Sequence, residues 1–194
     1  MDDYFQWLML LFVIITTIVR AVKGRKVKKV REQLAAVAPL INASVDAGRR
    51  SISGKVEGVP FKIKYEPEVE NSPARLDLIF EKRLPFNLEV AERITPFDPQ
   101  QSSQAGEFLL DDRKFDEKFS VTTDDPEACR EYLRDPLFHQ GIELVNSEGW
   151  RIRFTRRRAV FARWDSEWLA NQEQAAATFS RILQLGHSII AEFE

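Results

Sequence analysis

The densest group of side chains able to do chemistry is a set of arginines. Arg151, Arg153, Arg156, Arg157 and Arg158, with Arg163 beyond them, follow or interleave with Trp150, Ile152 and Phe154. Planar guanidinium forks pair bidentately with phosphate and carboxylate, so the set is a candidate contact for anions or lipid headgroups. Alternation at a period of two puts Arg151 and Arg153 on one face of a strand, with the Arg156–Arg158 triplet at a hairpin tip. The competing reading is a solvated sheet face balanced by acidic residues elsewhere, since exposed charge pairs contribute little.

Other chemistry is sparse. His139 and His187 lie in predicted helices, far apart in sequence and outside any H-E-x-x-H spacing, and they read as surface or capping histidines. Cys129 falls on the apolar stripe of a predicted helix, which reads as a buried inert thiol. The chain has no G-x-S-x-G, P-loop or G-x-G-x-x-G, and no D-x-[DN]-x-[DN]-G calcium loop. Asp111-Asp112, Asp116-Glu117 and Asp124-Asp125 read as caps and solvated edges rather than acid–base pairs. Nothing in the sequence points to a cofactor or a metal, and no enzyme activity is expected.

Binding surfaces carry more signal. An uncharged run of sixteen residues, Tyr4 to Val19, precedes seven cations: Arg20, Lys23, Arg25, Lys26, Lys28, Lys29 and Arg31. Extended by Ala21 and Val22, it reads as a transmembrane helix over 4–22, with Tyr4 and Trp7 at one interface. Met1-Asp2-Asp3 is acidic, which disfavours a cleaved signal peptide. The cations would stay inside as membrane-surface contacts. That leaves residues 1–3 as an extracytoplasmic tip and makes the expected location the cell membrane, single-pass, with the C-terminal domain cytoplasmic. One cysteine fits a reducing compartment.

Charge excludes another class. The chain carries 28 basic and 30 acidic residues. Beyond Arg31, 21 basic residues face 28 acidic ones, a net −7. Duplex binding needs a basic face across the domain, so nucleic acid is not an expected partner. A protein partner remains open.

The elements that must position these groups follow from periodicity. Residues 23–49 form a basic juxtamembrane helix and linker. Val27, Val30, Leu34, Val37 and Ile41 repeat at 3 and 4, which suits either a short coiled-coil stalk or one amphipathic helix packed on its own domain. Residues 50–194 make the domain. Ile52 to Val56 and Phe61 to Tyr65 form a hairpin, and Leu76, Leu78 and Phe80 a third strand. Phe86, Leu88 and Val90 form a fourth, Phe108 and Leu110 a short piece, and Phe119 and Val121 another strand. Residues 95–106 have surface-loop composition. Asp125-Pro126 and Asp135-Pro136 start helices, and Gly149 ends the second. Beyond the hairpin turn, Val160, Ala162 and Trp164 are the expected apolar positions. A long helix over about 166–193 closes the chain, carrying Trp168, Ala175, Phe179, Ile182, Leu183, Gly186, Ile190 and Phe193.

Gly106, then Phe115-Asp116-x-x-Phe119-x-Val121, then the Pro126-started helix resembles a pattern in membrane-anchored bacterial proteins with no assigned activity. The resemblance spans roughly residues 50–164. It implies a fold and a prokaryotic setting, and it supplies no catalytic residues.

The fold class read from these elements is α+β: an antiparallel sheet with a helical insertion and a long C-terminal helix, its second face wet. A pleckstrin-homology-like barrel capped by the last helix is the alternative. The expected function is a non-catalytic interaction or scaffolding domain at a membrane. The alternative is a carrier or sensor of a lipid or other apolar ligand, which the fourteen phenylalanines and four tryptophans would suit.

Overall fold

A computed structural model describes every residue except 1, 47, 49–50, 70–71, 94–106, 111 and 192–194, and describes no side chain among residues 2–6 or at 8. The predicted loop over 95–106 lies outside the described residues, as do the tip residue Met1, Gly106, Asp111 and Phe193.

The chain opens with a helix, α1 (Asp2–Val37), then a 3-10 turn at Ala38–Ile41 that Pro39 initiates. Asn42 follows in the left-handed region at φ 54°, its N–H returning to the turn's carbonyls. Val30, Leu34, Val37 and Ile41 are buried in the common core, so this segment is an amphipathic helix packed on its own domain.

Among the described residues, no helix is long and apolar enough to cross a membrane. This corrects the expected transmembrane helix over 4–22, and with it the single-pass location. Sixteen uncharged residues cover about 24 Å as a helix, against a hydrocarbon core of about 30 Å. Lengthening the run takes in Arg20, and the same helix continues unbroken into the cations. Its described apolar side chains, from Trp7 to Val22, are exposed.

Among the described residues eight strands form one sheet: β1 (Ser44–Val45), β2 (Ser51–Val56), β3 (Val59–Glu66), β4 (Arg75–Phe80), β5 (Leu88–Glu92), β6 (Phe119–Thr123), β7 (Arg151–Thr155) and β8 (Arg158–Arg163). Their order is β1-β2-β3-β4-β8-β7-β5-β6, with every neighbour antiparallel. Among the described residues the order has two ends, at β1 and β6, so the sheet is open rather than the alternative barrel. β1 comes from the expected linker, with Val45 opposite Ile52. The β2–β3 hairpin turns through Glu57 at φ 49° and Gly58 at φ 87°, the left-handed pair that a two-residue turn requires.

Register sorts the side chains. Ile63, Leu78, Phe161, Ile152, Val90 and Val121 line up across six strands on the covered face. All six are buried. Lys62, Ile79, Val160, Arg153, Glu89 and Thr122 make the matching row on the other face. Here one expectation is corrected: Ala159 and Phe161 enter the core, while Val160, Ala162 and Trp164 lie on the open face. The turn at Arg156–Arg157 sets Thr155 opposite Arg158, and that pairing fixes the parity of β8.

Helices cover one face. α2 (Arg113–Lys118) is capped by Asp112, α3 (Pro126–Arg134) by Asp125 and α4 (Pro136–Ser147) by Asp135, each carboxylate accepting from backbone N–H groups of the first turn. Gly149, at φ 79°, leads out of α4. The final helix is shorter than expected. A 3-10 turn at Glu167–Ala170 carries Trp168, and α5 (Gln172–Ala191) follows. Phe108 and Leu110 are buried but form no strand. Phe108 N–H donates to the Val121 carbonyl at 2.7 Å, and Leu110 N–H to Asp116 Oδ1 at 3.0 Å.

Gly186 lets α5 approach the sheet. A Cβ there would stand 2.7 Å from Phe80 Cε2 and 3.2 Å from the Phe161 ring. Both rings are fully buried and sit edge to face with centroids 5.7 Å apart. Gly186→Ala is therefore expected to lower stability by about 1–3 kcal/mol through overpacking, read as a lower urea midpoint with an unchanged m-value.

Candidate functional site: the open face of the sheet

The uncovered face holds a depression of about 190 Å3 at its centre. Ile79, Val160 and Ala162, on the adjacent strands β4 and β8, form the floor. Lys64, Arg75, Arg151, Arg153 and Arg158 stand around it, with Asp77, Glu89 and Trp164. Five cations therefore face two carboxylates across a small apolar floor.

Each arginine is placed by its strand. Arg153 is paired: its Nε and Nη2 donate to the two Glu89 oxygens at 3.0 and 2.8 Å, a bidentate contact. These hydrogen bonds hold the Arg153 guanidinium even more firmly protonated than usual. Arg151 lies with its guanidinium 4.7 Å from the Trp164 ring centre, which orients the fork. Among the described residues neither Arg151 nor Arg158 meets a carboxylate. Strand alternation thus brings Arg151, Arg153 and Arg158 together and leaves two of the predicted set aside. Arg156 turns to Asp124 at 3.3 Å, and Arg157 is exposed in the turn. Arg163 faces the helical side, donating to the Glu148 carbonyl at 3.0 Å over the Trp168 ring.

Asp77 is the residue that sequence reasoning missed. It sits on the depression side yet is only 3% exposed. Arg75 Nε stands 2.9 Å from Asp77 Oδ1, a buried ion pair whose alignment falls short of a good hydrogen bond. Burial pushes the Asp77 carboxyl above the ordinary carboxylate range, with Arg75 and Lys64 pulling back less strongly and Glu66 adding to the rise. A signal was present: in Arg75-Leu76-Asp77-Leu78-Ile79-Phe80, apolar Leu76, Leu78 and Phe80 on one face force Asp77 and Ile79 onto the other.

The N-terminal cations are distributed around α1. Arg20, Lys23, Arg25, Lys26, Lys28 and Lys29 are exposed, with Lys23 3.4 Å from Glu68 and Lys28 3.8 Å from Glu32. Arg31 is half-buried, its Nε enclosed without a hydrogen bond. It borders an apolar groove of about 690 Å3 shared with Val27, Ala35 and Val45. A third groove lies between α4 and α5, where Leu137 and Leu144 are exposed and His187 Nδ1 stands 3.5 Å from Glu57. His139 packs edge-on against Phe115 at 4.3 Å.

The acidic pairs divide as their environments dictate. Asp112 and Asp125 cap helices. Asp124 accepts from Asn87 N–H at 2.7 Å, the main contact holding its carboxyl below the usual range. Cys129 is buried, and desolvation pushes its thiol up to about 12.

No family model matches the chain, and no curated protein matches it. Among solved structures it is similar to the crystal structure of the mycobacterial trehalose monomycolate transport factor A. The TM-score is 0.55 at 9% identity, over 85% of this chain and 96% of that one. Likeness at that identity shows the fold alone.

Two measurements check this geometry. Because its folded pKa is raised, Asp77 favours the native state only while protonated, and stability falls as pH rises through that pKa. Asp77→Asn removes the penalty, so its Tm is expected to equal or exceed that of the unmodified chain at pH 7, with the gap closing toward about pH 4. Separately, the native Cys129 thiol is expected to resist iodoacetamide at pH 8 and to react once urea unfolds the chain.

Proposed function

We propose that this protein is a non-catalytic binding module that takes an anionic, lipid-borne partner on the open face of its sheet. One observation carries the reading: five cations converge on a small apolar floor, and of these Arg151 and Arg158 form no ion pair with a described carboxylate. A concave cationic surface focuses its field on an arriving anion and speeds the encounter. Binding rather than catalysis fits Cys129, which burial keeps protonated and out of reach. The likeness in fold to a trehalose monomycolate transport factor supports a role in lipid handling, with no specificity carried over. The exposed cations of α1 add attraction for anionic lipid, worth roughly 1 kcal/mol for each one close to the surface.

A second reading, an interaction module for a protein partner, is favoured by the exposed apolar side chains from Trp7 to Val22. Contiguous apolar surface of that kind marks contact sites. The two readings use different surfaces and separate by mutation.

The full chain is expected to float with vesicles of phosphatidylcholine and phosphatidylglycerol more than with phosphatidylcholine alone, and less at high salt. Charge reversal at Arg151 and Arg158 (Arg151→Glu with Arg158→Glu) is expected to weaken that excess binding by roughly tenfold or more, about 1.4 kcal/mol. Unchanged binding by this double variant would remove the open face from the account.

A further inference from the structure

Resting on the reading above, we infer that the depression recognises a phosphorylated polyol, its phosphate held by Arg151 and Arg158 and a neighbouring hydroxyl donating to Asp77. The site is asymmetric in a way that a simple anion does not explain. Its rim offers guanidinium donors, yet beside its floor lies a buried carboxylate oxygen, Asp77 Oδ1, whose contact with Arg75 Nε at 2.9 Å is poorly aligned for a hydrogen bond. Arg75 Nε is likewise buried, and its N–H meets no better-aligned acceptor. A hydroxyl both donates and accepts, so one O–H can satisfy Asp77 Oδ1 while its oxygen takes the Arg75 N–H. Reaching them requires only that the Arg75 side chain, about two-fifths exposed, swing outward.

Competing ligand chemistries fit less well. The carboxylates of an acidic peptide only accept, so they bring Asp77 no donor beside the bound anion. A bare phosphate brings Asp77 no better-aligned donor than Arg75. An acyl chain meets a cationic rim and finds too little room, since about 190 Å3 is well below the roughly 300–1,000 Å3 of pockets for drug-sized ligands. A headgroup that presents a phosphoester beside hydroxyls satisfies both halves of the site. The stacking of Arg151 on Trp164 leaves less side-chain freedom to lose on binding. Retaining a buried carboxylate that costs native stability at neutral pH is itself a pattern of functional sites.

Phosphatidylinositol and phosphatidic acid vesicles of matched surface charge, each in phosphatidylcholine, test the inference on the full chain. The unmodified protein is expected to prefer phosphatidylinositol by roughly tenfold, the order of one hydrogen bond to a charged group. Asp77→Asn is expected to abolish the preference while holding or raising affinity for phosphatidic acid, since a negative charge has left the site. Circular dichroism and Tm establish that the variant is folded. Equal binding to both lipids, or a preference that survives Asp77→Asn, overturns the inference while leaving the proposed function standing. No binding to either lipid beyond phosphatidylcholine overturns both. Titration with free inositol 1-phosphate then fixes the source. Saturation assigns the site to a soluble polyol phosphate, and binding to vesicles alone assigns it to a lipid headgroup; either outcome keeps the ligand chemistry.

Discussion

The two-residue turn at Arg156–Arg157 sets Thr155 against Arg158, and much of the molecule depends on that register. Through it Phe154 meets Ala159 and Ile152 meets Phe161, so β8 delivers Phe161 to the core and Val160 and Ala162 to the open side. Because side chains alternate with a period of two, a slip of one residue would bury Arg158 and Val160 and expose Phe161. The β4–β8 pairing carries the same parity into the other half of the sheet, placing Asp77 beside Ala162 and Ile79 beside Val160. Core and candidate site are thus two faces of one decision. The apolar burial that stabilises the fold also assembles the cationic depression.

Helices then enforce the asymmetry. α5 lies close enough to touch Phe80 and Phe161 because position 186 has no Cβ. α4 crosses α5 at Gly141, where a Cβ would stand 2.9 Å from Ile189. With one face sealed by this layer, the other is free to keep charges that a sandwich would have to neutralise. Desolvation on that face is partial, enough to raise the Asp77 carboxyl yet leave Arg151 and Arg158 available to an anion.

Legibility from sequence followed the range of the interactions. Strands with clean alternation (Ile52 to Val56, Phe61 to Tyr65, Leu76 to Phe80) stood out, as did the Asp-Pro helix starts at 125 and 135, because their signals are local. Sequence alone misplaces the parity of β8, because Val160, Ala162 and Trp164 form an apolar series as regular as Ala159 and Phe161. Only the cross-strand partner decides between them. Hydropathy marks the Tyr4–Val19 run as a membrane span only if the run is extended past Arg20, which interrupts it before a span is complete. Asp77 went unseen because its significance comes from β3, β7 and β8 meeting around it, pairings with no local trace. The Arg151–Arg158 cluster was visible as composition. Which members converge, and that Arg153 and Arg156 are already engaged by Glu89 and Asp124, required the fold.

The open face of the sheet is where we propose that an anionic partner binds. The most direct test follows arginine Nε–Hε and tryptophan indole signals by nuclear magnetic resonance while the isotope-labelled full chain is titrated with anionic bicelles. The account predicts saturable shifts at Arg151, Arg158 and the Trp164 indole, with Arg163 and Trp168 on the helical side unmoved. Shifts confined to Trp7 and the cations of α1, with the open face silent, would contradict it.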